Sequence, residues 1–419
     1  MKFIYKRAFI MLLTVILVLS MPVFSAAKES AAEEQPNAKD LTSYLKIDAK
    51  NHGKMSSIVL NTNLKDSESF FPYERFYAYW DKKKVSPGYL CIQWNKLPED
   101  LQLQQLDSDG VILSQRVIPQ EYDTIEKLLP ETQKVAFLPG REGMDIARLI
   151  LYSDGILPEP FVNWQPTPDH LDYLVISTHP DDDTLFMGGV IPIYGVERGY
   201  VGTVAYVTSP NRTRINEAKL GAWTMGAVYA PIFLDFCDVS NVEKYRKAYE
   251  YRFLPEAVTL ELVRMFREYH PLVVFSQGID GEYGHWQHKV VSACVIEAAK
   301  LAADDSYDPV SLAQYGTWQV QKCYIHLYTE NTLVMDVNTP LASMGGKNAL
   351  DVAREAFSKH RSQQTGRHWV QSDTDRHPMS HFGMAYGVVE AGSDVFDNID
   401  PHLFYSALKV ESESIEGQD

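Results

Sequence analysis

The chain has 419 residues, 45% hydrophobic and 22% charged, a composition that excludes wholesale disorder and suits two or three domains with a sizeable core. Lys and Arg number 39 against 55 Asp and Glu, giving a formal net charge of −16. A surface of that sign repels nucleic acid and anionic lipid, so no nucleic-acid partner is expected.

Residues 1–27 open with Lys2, Lys6 and Arg7, run apolar from Ala8 to Leu19 and reach small residues at Ser25, Ala26 and Ala27. This is the pattern of a cleaved signal peptide, and it predicts a secreted or cell-surface, extracytoplasmic protein. The other reading is an uncleaved anchor, the one membrane association the sequence suggests. No cysteine follows the run, so a lipoprotein anchor is not expected. Cleavage would remove three positive charges and no negative one, leaving 36 against 55. Cys91, Cys237, Cys294 and Cys323 form no C-x-x-C pair. Free buried thiols are the expectation, although an oxidising exterior permits disulfides.

Residues 28–43 are polar and acidic and read as a flexible spacer. Residues 44–160 hold short β-type runs between turns. "YLCIQW" is apolar and aromatic. "LQLQQLDSDGVILSQRVI" alternates, breaks at Asp109-Gly110 and resumes, which is a hairpin signal. "QKVAFLPG" and "DIARLILYSDG" add two strands, and the whole suggests a β-sandwich without a chemistry-bearing cluster. "ILPEPFVNWQPTPDH" holds four prolines and reads as a linker, centred on 161–170.

From 171 to about 330 strands and helices alternate. "LDYLVIST", "VGTVAYVTS", "APIFLDF", "PLVVFSQ" and "QVQKCYIHLY" are strands. "RINEAKLGAWTMGA", "LPEAVTLELVRMFREYH" (starting at Pro255) and "HKVVSACVIEAAKLAA" are helices. This alternation predicts an α/β domain with a mostly parallel sheet flanked by helices. Residues 331–419 are expected to pack on it as a C-terminal extension. In open α/β sheets ligands sit beyond the carboxyl ends of strands, and the polar motifs fall there.

The first motif is His179-Pro180-Asp181-Asp182-Asp183, directly after a buried strand. Three adjacent carboxylates repel one another, and a bound cation relieves that repulsion. The second is "GIDGEYGHWQHKVV", where a glycine-rich loop enters a helix and His285 and His288 stand three apart, on one helix face. His179 and Asp182 show the same spacing. Two neutral imidazoles and a carboxylate, with water in the fourth position, make a catalytic zinc site. Either motif alone is weak, because Asp beside Pro is ordinary turn chemistry; together in one domain they predict a metal centre.

The chain resembles the PIG-L or LmbE-like family of zinc-dependent N-deacetylases. That family has H-P-D-D-[DE] after the first strand of a Rossmann-like sheet, then R-x-x-E at a helix start, an aspartate after the next strand, and H-x-x-H after a later one. Here the order is His179 to Asp183, Arg214 and Glu217, Asp238, then His285 and His288. The similarity covers roughly residues 170–330. The preceding β region more weakly resembles the galactose-binding-like sandwich, and "KHRSQ" and "FGMAYGVVEAGSDVF" resemble the C-terminal extension of secreted bacterial members. The resemblance implies Zn²⁺ on His179, Asp182 and His288, with Asp181 as general base. It implies that His285 stabilises the oxyanion and serves as acid, and that Arg214 and Asp238 contact the sugar. The substrate implied is an N-acetylglucosamine-type sugar or glycan.

Two positions depart from the family pattern. Asp183 stands where glutamate is usual, a shorter group expected behind the ligands. Trp286-Gln287 replaces the Pro-Asp that many members carry, so no carboxylate adjoins His285. Trp286 is a candidate sugar-stacking residue and equally a packing residue. His326 alternates with apolar residues, while His360, His368, His377 and His381 read as solvated loop. The competing readings are a non-catalytic glycan- or cell-wall-binding protein on a deacetylase-like fold, and a Mg²⁺ phosphoesterase. Imidazole-rich ligands favour zinc over magnesium, and an intact Asp181 favours catalysis.

Overall fold

The structure, a computed structural model, describes residues 36–49 and 72–406 apart from 97, 99, 119–121, 141–142, 159–160, 162–163, 210 and 240–252. The expected signal peptide lies outside the described residues. Ala38 and the residues after it belong to one compact unit. Among the described residues no helix is long and apolar enough to cross a membrane.

The first half is all β. Strands β1 (Lys46–Asp48), β2 (Phe76–Tyr79), β3 (Tyr89–Trp94), β4 (Gln102–Leu106), β5 (Ile112–Val117), β6 (Asp123–Lys127), β7 (Lys134–Leu138) and β8 (Ile146–Tyr152) form two antiparallel sheets. Their orders are β1-β2-β7-β4-β5 and β6-β3-β8. Period-2 alternation sends Phe76, Ala78, Leu103, Val135 and Phe137 into the space between sheets, against Leu90, Ile92, Leu149 and Leu151. β3 is buried on both faces, because Cys91 turns outward onto Ile150, Tyr152 and Phe161. The β4–β5 hairpin turns at Gly110, whose φ of 83° suits glycine.

The end of the expected spacer is not free. Ala38 donates to the Ile156 carbonyl, Leu41 to that of Leu151, and Asp40 bridges Tyr152. These backbone bonds lay residues 38–41 along β8.

The second half is a mixed α/β layer. Its elements are β9 (Tyr173–Ser177), α1 (Asp182–Phe186), β10 (Gly202–Thr208), α2 (Arg212–Thr224), β11 (Ile232–Phe236), α3 (Pro255–Tyr269), β12 (Val273–Ser276), α4 (Trp286–Leu301), α5 (Pro309–Tyr315), β13 (Lys322–His326), β14 (Thr332–Val334), α6 (Ala349–Ser358) and β15 (His381–Gly387). The sheet order is β11-β10-β9-β12-β13-β15-β14. The first five are parallel, and β15 pairs antiparallel with both β13 and β14. The C-terminal extension therefore adds two strands to the sheet as well as a packed helix.

α3 shows how sequence makes these elements. Pro255 occupies the first turn, where its missing N–H costs no helical bond. Val258, Leu262, Val263, Met265 and Phe266 then recur three to four apart and are buried. Each such side chain contributes about 1.5–3 kcal/mol of burial. All four cysteines are free thiols.

Candidate active site

The strand order reverses between β9 and β12, and a crevice opens beyond their carboxyl ends. The loop after β9 carries His179 to Asp183, and the loop after β12 carries Gly278 to His288. The end of β10 leads into α2 and Arg214, the end of β11 into Asp238, and β13 ends at His326.

Three atoms converge at the centre. His179 Nδ1 lies 3.0 Å from Asp182 Oδ2 and 3.1 Å from His288 Nε2, and His288 Nε2 lies 3.1 Å from Asp182 Oδ2. Their neighbours fix the proton positions. The Gln287 amide donates to the Cys237 carbonyl and accepts from the Val239 N–H, so its oxygen must face His179 Nε2, 3.1 Å away. His179 therefore carries its N–H on Nε2 and presents a lone pair at Nδ1. His288 Nδ1 donates to Glu282 Oε2 at 2.7 Å, so the neutral ring presents its lone pair at Nε2. Asp182 is an ionised acceptor oriented by the His179 backbone N–H and the Gln277 amide. With both rings neutral, three acceptors thus face one point with no hydrogen among them, a buried arrangement that a cation satisfies. Two imidazoles and a carboxylate suit zinc. With His285 in place of Asp182, the three histidines also bring ring nitrogens within 4.8 Å.

Electrostatics follow from the same contacts. Burial alone would lower His288, but Asp182 and Glu282 push it up to about 10, so without a cation a proton on Nε2 fills the gap to Asp182, and a bound cation would take that proton's place. Burial opposes the Asp182 charge, yet the His288 and His179 rings hold it well below the usual carboxylate range. Burial and the Asp182 charge push Asp181 the other way, only partly offset by Arg214. Burial and the neighbouring His179 and His288 lower His285 to about 3, so its ring is neutral.

The remaining predicted residues fall around this centre. Asp181 stands at φ 140°, a strained backbone for a non-glycine residue, and its carboxylate takes a 2.8 Å bond from Arg214. Arg214 also donates to the Pro180 carbonyl, so its visible work is to hold this loop. Asp183 lies beneath the loop, where Tyr206 donates to it at 2.8 Å, and burial pushes its carboxyl up to about 7. Asp238 sits at the rim, 3.7 Å from His179 Nε2. Glu217 faces away and accepts from the Ser362 N–H and hydroxyl. The Trp286 indole donates to the Val239 carbonyl and stands edge-on to Phe253, so it packs at the helix start.

Sequence reasoning missed Glu282. Its carboxylate bridges His288 Nδ1, His326 Nδ1 at 3.0 Å and the Gly278 N–H at 2.6 Å. Burial opposes its charge, but the His288 and His326 bonds hold it at about 2. His326 Nε2 in turn faces the Pro378 carbonyl at 3.1 Å. Sequence reasoning also set His360, His368, His377 and His381 in solvated loop. His360 and His377 are instead buried, and His368 meets the half-exposed Tyr283 at 5.2 Å between ring centres. The compact C-terminal extension covers these positions.

Residues 174–299 match the PIG-L family, described as GlcNAc-PI de-N-acetylase. This segment is a PIG-L domain. The chain is 26% identical over 179 residues to the 1D-myo-inositol 2-acetamido-2-deoxy-alpha-D-glucopyranoside deacetylase of Streptomyces avermitilis, covering 36% of this chain and 59% of that one. To deacetylase 1 of the same description from Catenulispora acidiphila it is 25% identical over 189 residues, covering 38% and 57%. The chain thus spans under two thirds of the length of these relatives. A solved N,N'-diacetylchitobiose deacetylase from Pyrococcus horikoshii is similar over 48% of this chain and 74% of that chain, at 19% identity and a TM-score of 0.35. Both histidine motifs of the PIG-L domain lie inside the matched segment.

Proposed function

We propose that this protein is a secreted, zinc-dependent hydrolase that removes the N-acetyl group from an N-acetylglucosamine-type sugar or glycan. The observation that carries the reading is the convergence of His179 Nδ1, Asp182 Oδ2 and His288 Nε2, all acceptors, within 3.0–3.1 Å of one another. The PIG-L match and the names of the deacetylase relatives support the reaction type. The signal-peptide pattern supports secretion.

His179, Asp182 and His288 would hold the metal. When bound, zinc supplies Lewis acidity to the amide carbonyl and lowers the pKa of water toward about 7. The chain's own residues do the rest. Asp181 accepts the proton of the attacking water and passes it to the departing amine as the C–N bond breaks, and Arg214 fixes the carboxylate that carries it. A cation beside Asp181 favours its ionised form, against the burial that raises it. His285, neutral, offers one N–H to the developing oxyanion. Glu282 fixes the tautomer of His288 and the direction of its lone pair. Asp238 at the rim and Arg214 at the loop are placed to meet sugar hydroxyls.

The test is metal analysis of purified protein together with acetate release from a panel of N-acetylglucosamine compounds. About one zinc per chain and release of one acetate per amine formed is the expected result, and His288→Ala should lose most of the metal. Full zinc occupancy in that variant, or no acetate from any member of the panel, would overturn the proposal.

A further inference from the structure

The helix that carries Arg214 has a second, equally buried polar side. At 100° per residue, Arg212 and Lys219 lie two turns apart on one side of α2, while Arg214, Glu217 and Gly221 lie on the opposite side. The Arg214 side meets the site loop and the C-terminal segment. Arg214 pairs with Asp181, Glu217 takes both donors of Ser362, and Gly221 faces His360 so closely that a Cβ would stand 2.6 Å from its Nε2. The Arg212 side meets the β layer. Arg212 donates to the Trp94 carbonyl and, at 2.6 Å, to that of Tyr122, and its guanidinium stands 5.4 Å from the centre of the Tyr122 ring. Lys219 donates to Asp123 Oδ2, and Asp123 Oδ1 takes a 3.0 Å bond from Gln93, whose own oxygen accepts from Arg148. Asp123, Arg212 and Lys219 have side chains only 4%, 4% and 7% exposed.

Residues 93–94 and 122–123 are paired ends of β3 and β6. They present two backbone carbonyls and one carboxylate to two cations on the helix. Ionised groups in a buried setting hold one geometry tightly, because any displacement leaves a charge uncompensated. The catalytic-side contact of Arg214 is on the same rigid helix, less than one turn from Arg212.

We infer that Asp123, in the β layer, is a positioning residue for the reaction: through Lys219 and Arg212 it sets the placement of α2 and hence of Arg214 against Asp181. This rests on the hydrolase reading, and it makes the β layer part of the active-site support.

The test is Asp123→Asn, which keeps shape and the Gln93 contact but removes the charge. Its first readout is hydrogen–deuterium exchange of the full-length protein, which needs no substrate. The site-loop peptide around residues 178–184 should exchange faster, by about tenfold, while α3 is unchanged. The second is a double-mutant cycle with Arg214→Ala on acetate release. Asp123→Asn alone should lower kcat about tenfold with KM within twofold. In the Arg214→Ala background it should have little further effect. Faster exchange confined to residues 89–94 and 123–127, or losses in kcat that simply multiply, would overturn the inference. If the wild-type chain releases no acetate, the hydrolase reading fails, and the exchange result still decides whether Asp123 holds the site loop. Should Asp123→Asn fail to fold, Asp123→Glu keeps the charge and displaces the helix by one methylene. It is expected to give the same pattern at smaller size, and unchanged exchange at 178–184 would overturn the inference.

Discussion

Two buried polar clusters lie toward opposite sides of this molecule's second helix, and they are built on opposite principles. At the β layer, Asp123 and two backbone carbonyls face Arg212 and Lys219, so acceptors meet donors and each cation finds an acceptor within the protein. At the crevice, His179 Nδ1, His288 Nε2 and Asp182 Oδ2 are all acceptors and face one another. Both are buried. Only the count of donors separates them. A complete cluster fixes structure, and an incomplete one selects a ligand.

The largest expected effect tests the incomplete cluster. Asp181 and Asp182 are adjacent and of one type, yet only Asp182 belongs to the three acceptors. Asp181→Asn should keep zinc near the wild-type level and lower turnover by roughly 10²–10⁴ with little change in KM. Asp182→Asn should lose metal, and added zinc should restore part of the activity. Zinc content and acetate release of the two variants, measured side by side, separate the roles. An empty Asp181→Asn protein would erase the distinction.

The complete cluster should respond to the loss of one charge. Lys219→Met leaves Asp123 buried with one cation fewer, at a cost of about 3–5 kcal/mol in denaturant unfolding. Asp123→Leu should cost more, because it leaves both Arg212 and Lys219 buried without a carboxylate. If Asp123→Leu costs less than Lys219→Met, the cluster is not a matched set.

A smaller effect is expected one layer out from the metal. Glu282→Gln keeps an acceptor for His288 but removes the negative charge, and zinc affinity should weaken by roughly 10–100-fold. Competition with a chelator reads this directly, and an unchanged affinity would place Glu282 outside the metal's support.

A separate effect, read on stability rather than on metal or turnover, concerns His360, whose two ring nitrogens are buried without a hydrogen-bond partner. Burial lowers it to about 3, with Arg214 adding to the effect. Its folded value lies below the unfolded value of about 6.5, so its contribution is complete above that pH. It is lost as pH falls from there toward 3, at about 1.4 kcal/mol per unit. His360→Phe should flatten the acid side of the stability profile over that window. A slope unchanged from wild type would show that the ring is already charged in the folded state.

Much of the crevice could be read in the sequence, because each motif stands directly after a buried strand and the ligand types are unusual there. The family resemblance singled out His179, Asp182 and His288, and strand ends that share one rim bring their two motifs together. Glu282 was hidden. In "GIDGEYG" it reads as a turn residue, and its bridge to His288 and His326 exists only because its own φ of 50° turns the carboxylate back into the loop. Asp123 was hidden for a different reason. It opens a strand of no special pattern, and its partner Lys219 lies 96 residues away in chain order. The parallel strands were legible as apolar runs, whereas β1, β2 and β6 are short or polar and gain their place from cross-strand pairing. His360 and His377 looked solvated because polar neighbours surround them in sequence; the fold buries them under the extension.

The position of β15 has a consequence for the order in which this protein matures. β15 sits between β13 and β14 in the sheet although it is the last of the described strands in chain order, and Pro378, whose carbonyl faces His326, lies three residues before its start. Until that segment is made and paired, His326 lacks one partner and the Glu282 bridge to His288 is supported from one side only. The two halves of the ligand set come from strands completed far earlier. A growing chain thus carries His179, Asp182 and His288 long before it carries the backbone that steadies His326 and, through Glu282, His288.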